Sequence, residues 1–468
     1  MNQDVRTPLI IACALFMENL DGTIIATSLP AIAADLHENP LALKLALTSY
    51  LLSLAVFIPA SGWAADRFGA RRVFRAAILV FTLGSILCGL SDGLGGFIAA
   101  RIVQGFGGAM MTPVGRLVLL RTVERAKMIG ALAYLTAPAL VGPVIGPPLG
   151  GFITTYFHWR WIFWINAPIG VLGFVLATLY IADVREEKPR PLDVTGFFLS
   201  GLGLSGLVFG LTALGRDLVS PALDWALIGG GAGALGLYVV HARRTPYPIL
   251  DLGLLAIPTF RASLVGGFLF RIGVGAIPFL LPLMLQVGFG LNPFQSGSLT
   301  FAAAAGALLM KTTAAPILRR VGFRTVLLVD TLISAAFLAS YGLFTAATPT
   351  TVILGLLLVG GFFRSLQFTA LNALGYAEIT SEAMSRATSF ASVGQQLSLS
   401  VGVALGAAAL EGSRAARGGV ELAAVDFAPA FAIAAFVSAS ALFAFLPLGR
   451  DAGSEVSGRV SARQAPGP

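Results

Sequence analysis

Charge is scarce in this chain. Only 12% of its 468 residues are Asp, Glu, Lys or Arg, against 56% that are hydrophobic, and the mean hydropathy is +0.84. A soluble chain of this length would form two or three domains with charged surfaces, whereas this composition is that of a membrane protein. Cysteine is nearly absent, and Cys13 and Cys88 both fall inside apolar runs as small buried residues, which argues against a disulfide or a metal site. His37, His158 and His241 stand singly near the ends of apolar runs without ligand spacing, so no metal is expected and interfacial hydrogen bonding is. Alternation of polar and apolar residues is missing too, which excludes a membrane β-barrel. No cleavable signal peptide is evident, because the first apolar run continues through Glu18 and Asp21 to Pro30 without a small-residue cleavage site. No soluble domain fits anywhere.

What is present is a series of apolar runs, each about 20 residues long, the length that crosses a hydrocarbon core about 30 Å thick as a helix. Fourteen such spans are expected, at 8–32, 44–65, 73–91, 95–118, 128–155, 160–181, 195–214, 223–241, 260–286, 296–318, 325–346, 350–374, 387–410 and 427–448. An even number puts both termini on one side. The cations choose the side: Arg67, Arg71, Arg72 and Arg75, then Arg121, Arg125 and Lys127, then Arg185, Lys188 and Arg190, and Arg319, Arg320 and Arg324 all fall in alternate loops. The intervening loops hold only Lys44, Arg160, Arg216, Arg414 and Arg417. Cytoplasmic N- and C-termini follow, in a multi-pass protein of the cell (inner) membrane. The same bias accounts for the net charge of +8, so no nucleic-acid partner is expected.

A repeat supports the count. Asp66-Arg67-Phe68-Gly69-Ala70-Arg71 follows the second span, and Arg319-Arg320-Val321-Gly322-Phe323-Arg324 follows the tenth with the same Arg-x-Gly-x-Arg spacing. The layout is then 6+2+6: a six-helix bundle over 1–184, a linker with two extra helices and an interfacial connection over 185–258, a second six-helix bundle over 259–449, and a disordered cytoplasmic tail over 450–468. Parallel repeats of this kind build one large class of secondary transporters, with substrate held between the halves.

Glu18, Asn19, Asp21 and Thr23 lie inside the first span, where ionisable groups are expensive and face a cavity or a partner. A carboxyl at that depth suits a group that binds and releases a proton in each cycle, and a permanent structural network is the competing reading. Arg101, about two turns into the fourth span, must find a carboxylate, carbonyls or water, and Glu18 or Asp21 is the nearest suitable partner if the first and fourth spans pack together. In Gly142-Pro143-x-x-Gly146-Pro147-x-x-Gly150-Gly151 the prolines remove backbone donors and the glycines admit a neighbouring helix. Gly201-Leu-Gly203-Leu-Ser-Gly206 fits a dinucleotide fingerprint but lies within an apolar span with no strand before it, and reads as helix packing.

These stretches together resemble the fourteen-span drug:proton antiporters of the major facilitator superfamily. Leu20-Asp21-x-Thr23 through Leu29-Pro30 is similar to the first-helix motif, Gly62 to Arg72 to the loop between the second and third helices, and Arg101-x-x-Gln104-Gly105-x-Gly107 to the fourth-helix motif. Gly142 to Gly151 matches the antiporter motif, and Trp161-Ile-Phe-Trp-Ile-Asn166-x-Pro168 the sixth-helix signature. Further along, His241 to Pro246 and Leu283 to Gly290 resemble the MdtD-type exporters. The resemblance implies an all-α major facilitator fold of two pseudo-symmetric bundles and a proton-coupled antiporter of small amphipathic compounds or drugs working by alternating access. Multidrug efflux of this kind needs no cofactor beyond the proton gradient. Asp21, Glu18 and Arg101 would couple to protons. Gly62, Asp66, Arg67, Gly69 and Arg71, with Gly142, Pro143, Gly146 and Pro147, would gate. Asp66 would lock the halves on the cytoplasmic side near Arg386.

Cargo contacts are expected from Asn19, Gln104, Arg271, Gln286 and Asn372. Arg271, Lys311 and Arg364 fall inside second-half spans, with Asp330 the obvious buried acid beside them. An uncompensated cationic cavity would favour organic anions or metal chelates as cargo, unless Lys311 and Arg364 snorkel to an interface. A membrane enzyme or a non-transporting receptor is the remote alternative, and neither a catalytic constellation nor a signalling domain is found. The expected partners are a small-molecule substrate, protons and the lipid bilayer, and the expected state is a monomer.

Overall fold

The computed structural model describes residues 3–122, 128–182, 191–213, 220–380, 382–449 and 451–453. Most of the polar linker, the tail beyond 453, and the cations Arg125, Lys127, Arg185, Lys188, Arg190, Arg216, Arg450, Arg459 and Arg463 lie outside the described residues. Among the described residues all regular structure is helical. The long helices are α1 (Gln3–Ile24), α2 (Lys44–Phe68), α3 (Ala70–Leu90), α4 (Leu94–Thr122), α5 (Met128–Tyr156), α6 (Asn166–Tyr180), α7 (Val194–Ala213), α8 (Pro221–Ala242), α9 (Pro258–Gly275), α10 (Pro293–Val321), α11 (Phe323–Tyr341), α12 (Thr350–Gly375), α13 (Met384–Ala416) and α14 (Phe427–Ser440). Thirteen stretches of described helix are long and apolar enough to cross a membrane. The expected fifth span coincides with α5, which is helical but is not among those thirteen.

Helix boundaries follow local chemistry. Pro221, Pro258 and Pro293 each open a helix, where a missing N–H costs nothing, and Ser220 caps α8 by accepting from the Leu223 amide. Gly69, between α2 and α3, has φ +95°, and Gly322, between α10 and α11, has φ +85°. Both repeat glycines thus adopt a backbone that a side chain rarely tolerates, which lets one helix end and the next begin at once. The spans are not all plain helix. After Ile24 the first passes through a 3-10 turn, Ile25–Ser28, into a short helix, Leu29–Asp35. The ninth continues as Ile277–Leu283 into a π-turn, Met284–Gly288, that contains Gln286.

The chain divides into two units. The first comprises residues 1–250 with 292–297. Within it α1 packs on α5, α3 on α4 and α6, α2 on α4, and α7 on α8, while α7 also rests on α2. Glycine makes the α1–α5 approach possible. A Cβ at Gly142 would press on the Leu20 amide, one at Gly146 would overlap Thr23, and one at Gly150 would meet the Ile24 carbonyl. Gly203, Gly206 and Gly210 do the same for α7 against Leu235, Leu227 and Ile228 of α8, so the dinucleotide-like stretch is a packing face. Asp193 ties the two ends of this pair, accepting from the Gly196 and Ile249 amides and lying 2.7 Å from His241 Nε2. At the other end of the unit, Asp35 accepts from Trp159 at 3.0 Å and Arg160 at 2.6 Å.

The second unit comprises 251–291 with 298–468. Here α9 is the hub, packed on α13, α14 and α12, and α11 packs on α12 and α14. Gly273 lies against Ala434, Gly402 against Ile272 and Gly361 against Ala303, so backbones nearly touch at these crossings.

Each unit also closes on itself through its copy of the repeat. Arg71 donates to the Ile181 carbonyl, just past α6, at 3.4 Å, and Arg324 donates to the Leu446 carbonyl, just past the last helical turn of the second unit, at 3.2 Å. The two arginines hold equivalent places in Arg-x-Gly-x-Arg. Each puts a cation at a helix C-terminus, where free carbonyls and the helix dipole favour it.

Candidate functional site

The most concentrated polar chemistry in the first unit is a buried network joining α1, α3, α4 and α6. Asp21 and Arg101 meet at 2.6 Å, with 1% and 0% of each residue exposed. Gln104, one turn after Arg101, donates its amide to the second Asp21 oxygen at 2.8 Å and accepts from Arg101 at 2.6 Å. Asn166 donates to that same Asp21 oxygen at 3.1 Å and to Ser85 Oγ at 2.9 Å, and Ser85 in turn donates to the Phe163 carbonyl. The Arg101 guanidinium lies over the Tyr50 ring at 4.1 Å.

This arrangement has a physical logic. Two charges removed from water need close mutual contact plus hydrogen bonds to their remaining lone pairs and protons, or the desolvation cost exceeds the attraction. Asp21 receives three donors on two oxygens. Arg101 is less well served, since its Nε meets no acceptor among the described residues, and Asn166 Oδ1 meets no donor there. A network nearly but not fully satisfied, resting on one carboxylate charge, is one whose arrangement changes when that charge is removed.

Glu18 is placed apart. One turn before Asp21 on α1, it is half-buried and accepts from Thr112 at 2.8 Å. Of the two acids expected as the partner of Arg101, the structure brings together Asp21 and Arg101. Asn19 donates to the Leu15 carbonyl, within its own helix. Gln104, expected as a cargo contact, is fully buried with both ends of its amide spent on Asp21 and Arg101.

The expected gating stretch is spread over a helix junction. Asp66 pairs with Arg121, in the last turn of α4, at 2.9 Å, and Arg386 pairs with Asp251 at 2.6 Å. Arg67 is exposed, and Arg71 makes the carbonyl contact described above. Gly62 is exposed and a Cβ there would meet nothing within 4 Å, so only Gly69 of the two is demanded by backbone geometry. Pro143 and Pro147 lie within α5 beside Gly142 and Gly146.

In the second unit the expected residues do not converge on one another as Asp21 and Arg101 do. Arg271 is buried on α9. It donates to Asn372 at 3.3 Å and lies 5.4 Å from the Phe368 ring, with no carboxylate partner among the described residues. Lys311 is exposed and donates to Thr369 at 3.0 Å, while Arg364 is half-buried on α12. Asp330 is buried on α11 and neither of its oxygens has a hydrogen-bond partner. Ser334 Oγ and Gln367 Oε1 are also buried and unpartnered.

Sequence reasoning missed three members of the network. Asn166 stood in a quoted motif without a role, and Tyr50 and Ser85 carried no signal. Asn166 could have been found as the one amide in an otherwise apolar and aromatic stretch. Lys44, expected as a loop cation, is fully buried at the start of α2.

Residues 11–260 match the family model described as Major Facilitator Superfamily. The chain is 39% identical over 396 residues to the "Putative multidrug resistance protein MdtD" of Pectobacterium carotovorum, covering 85% of each protein. It is also 39% identical over 397 residues to the protein of the same name from Salmonella paratyphi B, covering 85% of this chain and 84% of that relative. Among solved structures, that of a D-xylose-proton symporter superposes with a TM-score of 0.69 at 14% identity, over 96% of this chain and 98% of the other, a likeness of fold.

Proposed function

The chain belongs to the Major Facilitator Superfamily, and from that premise we propose that it is a proton-driven exporter of small amphipathic compounds, working by alternating access from the inner membrane with both termini cytoplasmic. That it is a multi-pass membrane transporter follows from the family and the apolar helices. The finer reading draws on relatives named for multidrug resistance and on one observation, the buried Asp21–Arg101–Gln104–Asn166 network.

In this reading a proton arriving from outside adds to an Asp21 oxygen and cancels the charge that holds Arg101. The neutral carboxyl keeps its hydrogen bonds to Gln104 and Asn166 but loses most of its attraction for the guanidinium, so α4 is freed relative to α1. Release of the proton inside restores the pair. Glu18, one turn nearer the N-terminus, would then take the proton on. The glycine face of α5 on α1 keeps water out of this route, and the Asp66–Arg121 pair fastens the ends of α2 and α4.

The test is Asp21→Asn in proteoliposomes. Efflux driven by an imposed pH gradient should be lost, while exchange of cargo down its own gradient persists. Gradient-driven efflux at the wild-type rate would remove Asp21 from the coupling step.

A second reading, export of organic anions or metal chelates, is favoured by one observation. Arg271 is a buried cation whose protein partners are an amide oxygen and an aromatic ring, so its charge is available to an anionic cargo. Undiminished anion transport by Arg271→Gln would remove this reading.

A further inference from the structure

The two helices beyond the six of the first bundle, α7 and α8, hold each other tightly but touch the bundle mainly through α2. The contact is small. Phe197 meets Phe57 with ring centres 5.9 Å apart, and a Cβ on Gly201 would stand 3.2 Å from Val56 Cγ1. Beside this contact the helices leave a cavity of about 440 Å³ between α2, α4, α7 and the first turns of α8.

The lining excludes most ligands. No charged, amide, imidazole or indole group lines it, and its polar atoms are four hydroxyls, on Thr48, Ser49, Ser53 and Ser205. Thr48 and Ser49 donate to the Leu45 and Ala46 carbonyls of their own helix, and Ser53 donates across to the Ile102 carbonyl at 2.8 Å. Three of the four are therefore spent. Sites for small molecules with polar groups present several convergent polar partners, and this one does not.

The cavity is also open sideways. Leu202, Phe209 and Ile102 of its lining are 66%, 39% and 45% exposed, on helices long and apolar enough to cross a membrane, where an exposed apolar side chain favours hydrocarbon.

We propose that this cavity holds an acyl chain of a membrane phospholipid, so that the two extra helices form, with α2 and α4, a lipid-binding site. The site has a place in the mechanism. The wall facing the lipid carries Ser49 and Ser53, while Tyr50, between them on α2, covers Arg101. A chain in the cavity backs the helix that lids the charged network, and an emptied cavity leaves that helix unsupported.

The test uses the full-length protein in vesicles of phosphatidylethanolamine and phosphatidylglycerol, doped with a phosphatidylethanolamine that carries a photoactivatable diazirine midway along one acyl chain. After irradiation, adducts mapped by mass spectrometry should concentrate several-fold on the peptides holding Ser49 to Phe57 and Leu202 to Phe209. The reference is the ordinary lipid-facing stripe of α3 at Leu79, Leu83 and Leu87. Ser205→Phe, which fills the cavity, should abolish that excess and leave the α3 labelling and the melting temperature unchanged. Leu202→Trp at the mouth provides a second variant should Ser205→Phe fail to insert. Equal labelling of all three stretches, survival of the excess in both variants, or its displacement by an added amphipathic dye that is itself exported would each overturn the assignment.

Discussion

The two units treat buried charge in opposite ways. In the first, Asp21 and Arg101 are brought to 2.6 Å and surrounded by Gln104, Asn166 and Tyr50. In the second, Arg271 and Asp330 are also buried, but among the described residues the cation has only an amide and a ring and neither oxygen of the acid has a hydrogen-bond partner. A charge paired at close range and hydrogen-bonded on several sides ties together the helices that carry its partners. One without them is not tied to its neighbours in that way, and in the proposed function it is open to a proton or a cargo. The first unit therefore reads as the part where removing a charge disturbs the structure, and the second as the part where a charge can be removed at little structural cost.

Four substitutions probe that contrast. Arg101→Leu strips Asp21 of its partner in a fully buried site, and should lower stability to unfolding in detergent by about 3–5 kcal/mol. Gly146→Val keeps every charge but places a branched side chain against Thr23, pushing α5 off α1. A loss of about 1–3 kcal/mol is expected from such overpacking, with cargo leak as a second readout. Arg271→Gln should change stability by no more than about 1 kcal/mol; a loss as large as that of Arg101→Leu would mean that Arg271 is structural after all. Asp330→Asn should be the mildest, within about 0.5 kcal/mol, and a fall in the number of protons moved per cargo, measured by paired pH and substrate flux, would show that the acid serves transport.

Much of the site was legible in the sequence because membrane helices make polar residues conspicuous. Asp21 and Arg101 stand out against apolar neighbours, and the Arg-x-Gly-x-Arg repeat marks the two junctions that Gly69 and Gly322 turn. The partner of Arg101 was not legible. Glu18 and Asp21 lie three residues apart on a helix that is apolar all round, so no amphipathic stripe reveals which side faces inward, and only packing against α4 fixes its rotation. The role of Tyr50 was hidden for the same reason, since an aromatic ring over a guanidinium looks in sequence like any other apolar residue. Lys44 misled because its position at a span boundary suggested solvent, whereas it is buried where the turn at Pro40–Leu43 runs into α2.

The arginine staples at Ile181 and Leu446 bear on motion. Alternating access by rocking requires that each bundle turn as a single body, since a bundle able to splay at its seam would absorb the rotation instead of passing it on. In the first unit the hydrogen bond runs from the α2–α3 junction to the end of α6, and in the second from the α10–α11 junction to the end of the last helical turn, which is where such a seam would lie. The loop signature then joins two separable features: its glycine makes the corner, and its final arginine bonds a carbonyl at a helix end. Loss of that arginine should therefore show itself as slippage, with protons passing in the absence of cargo, before it shows itself as unfolding.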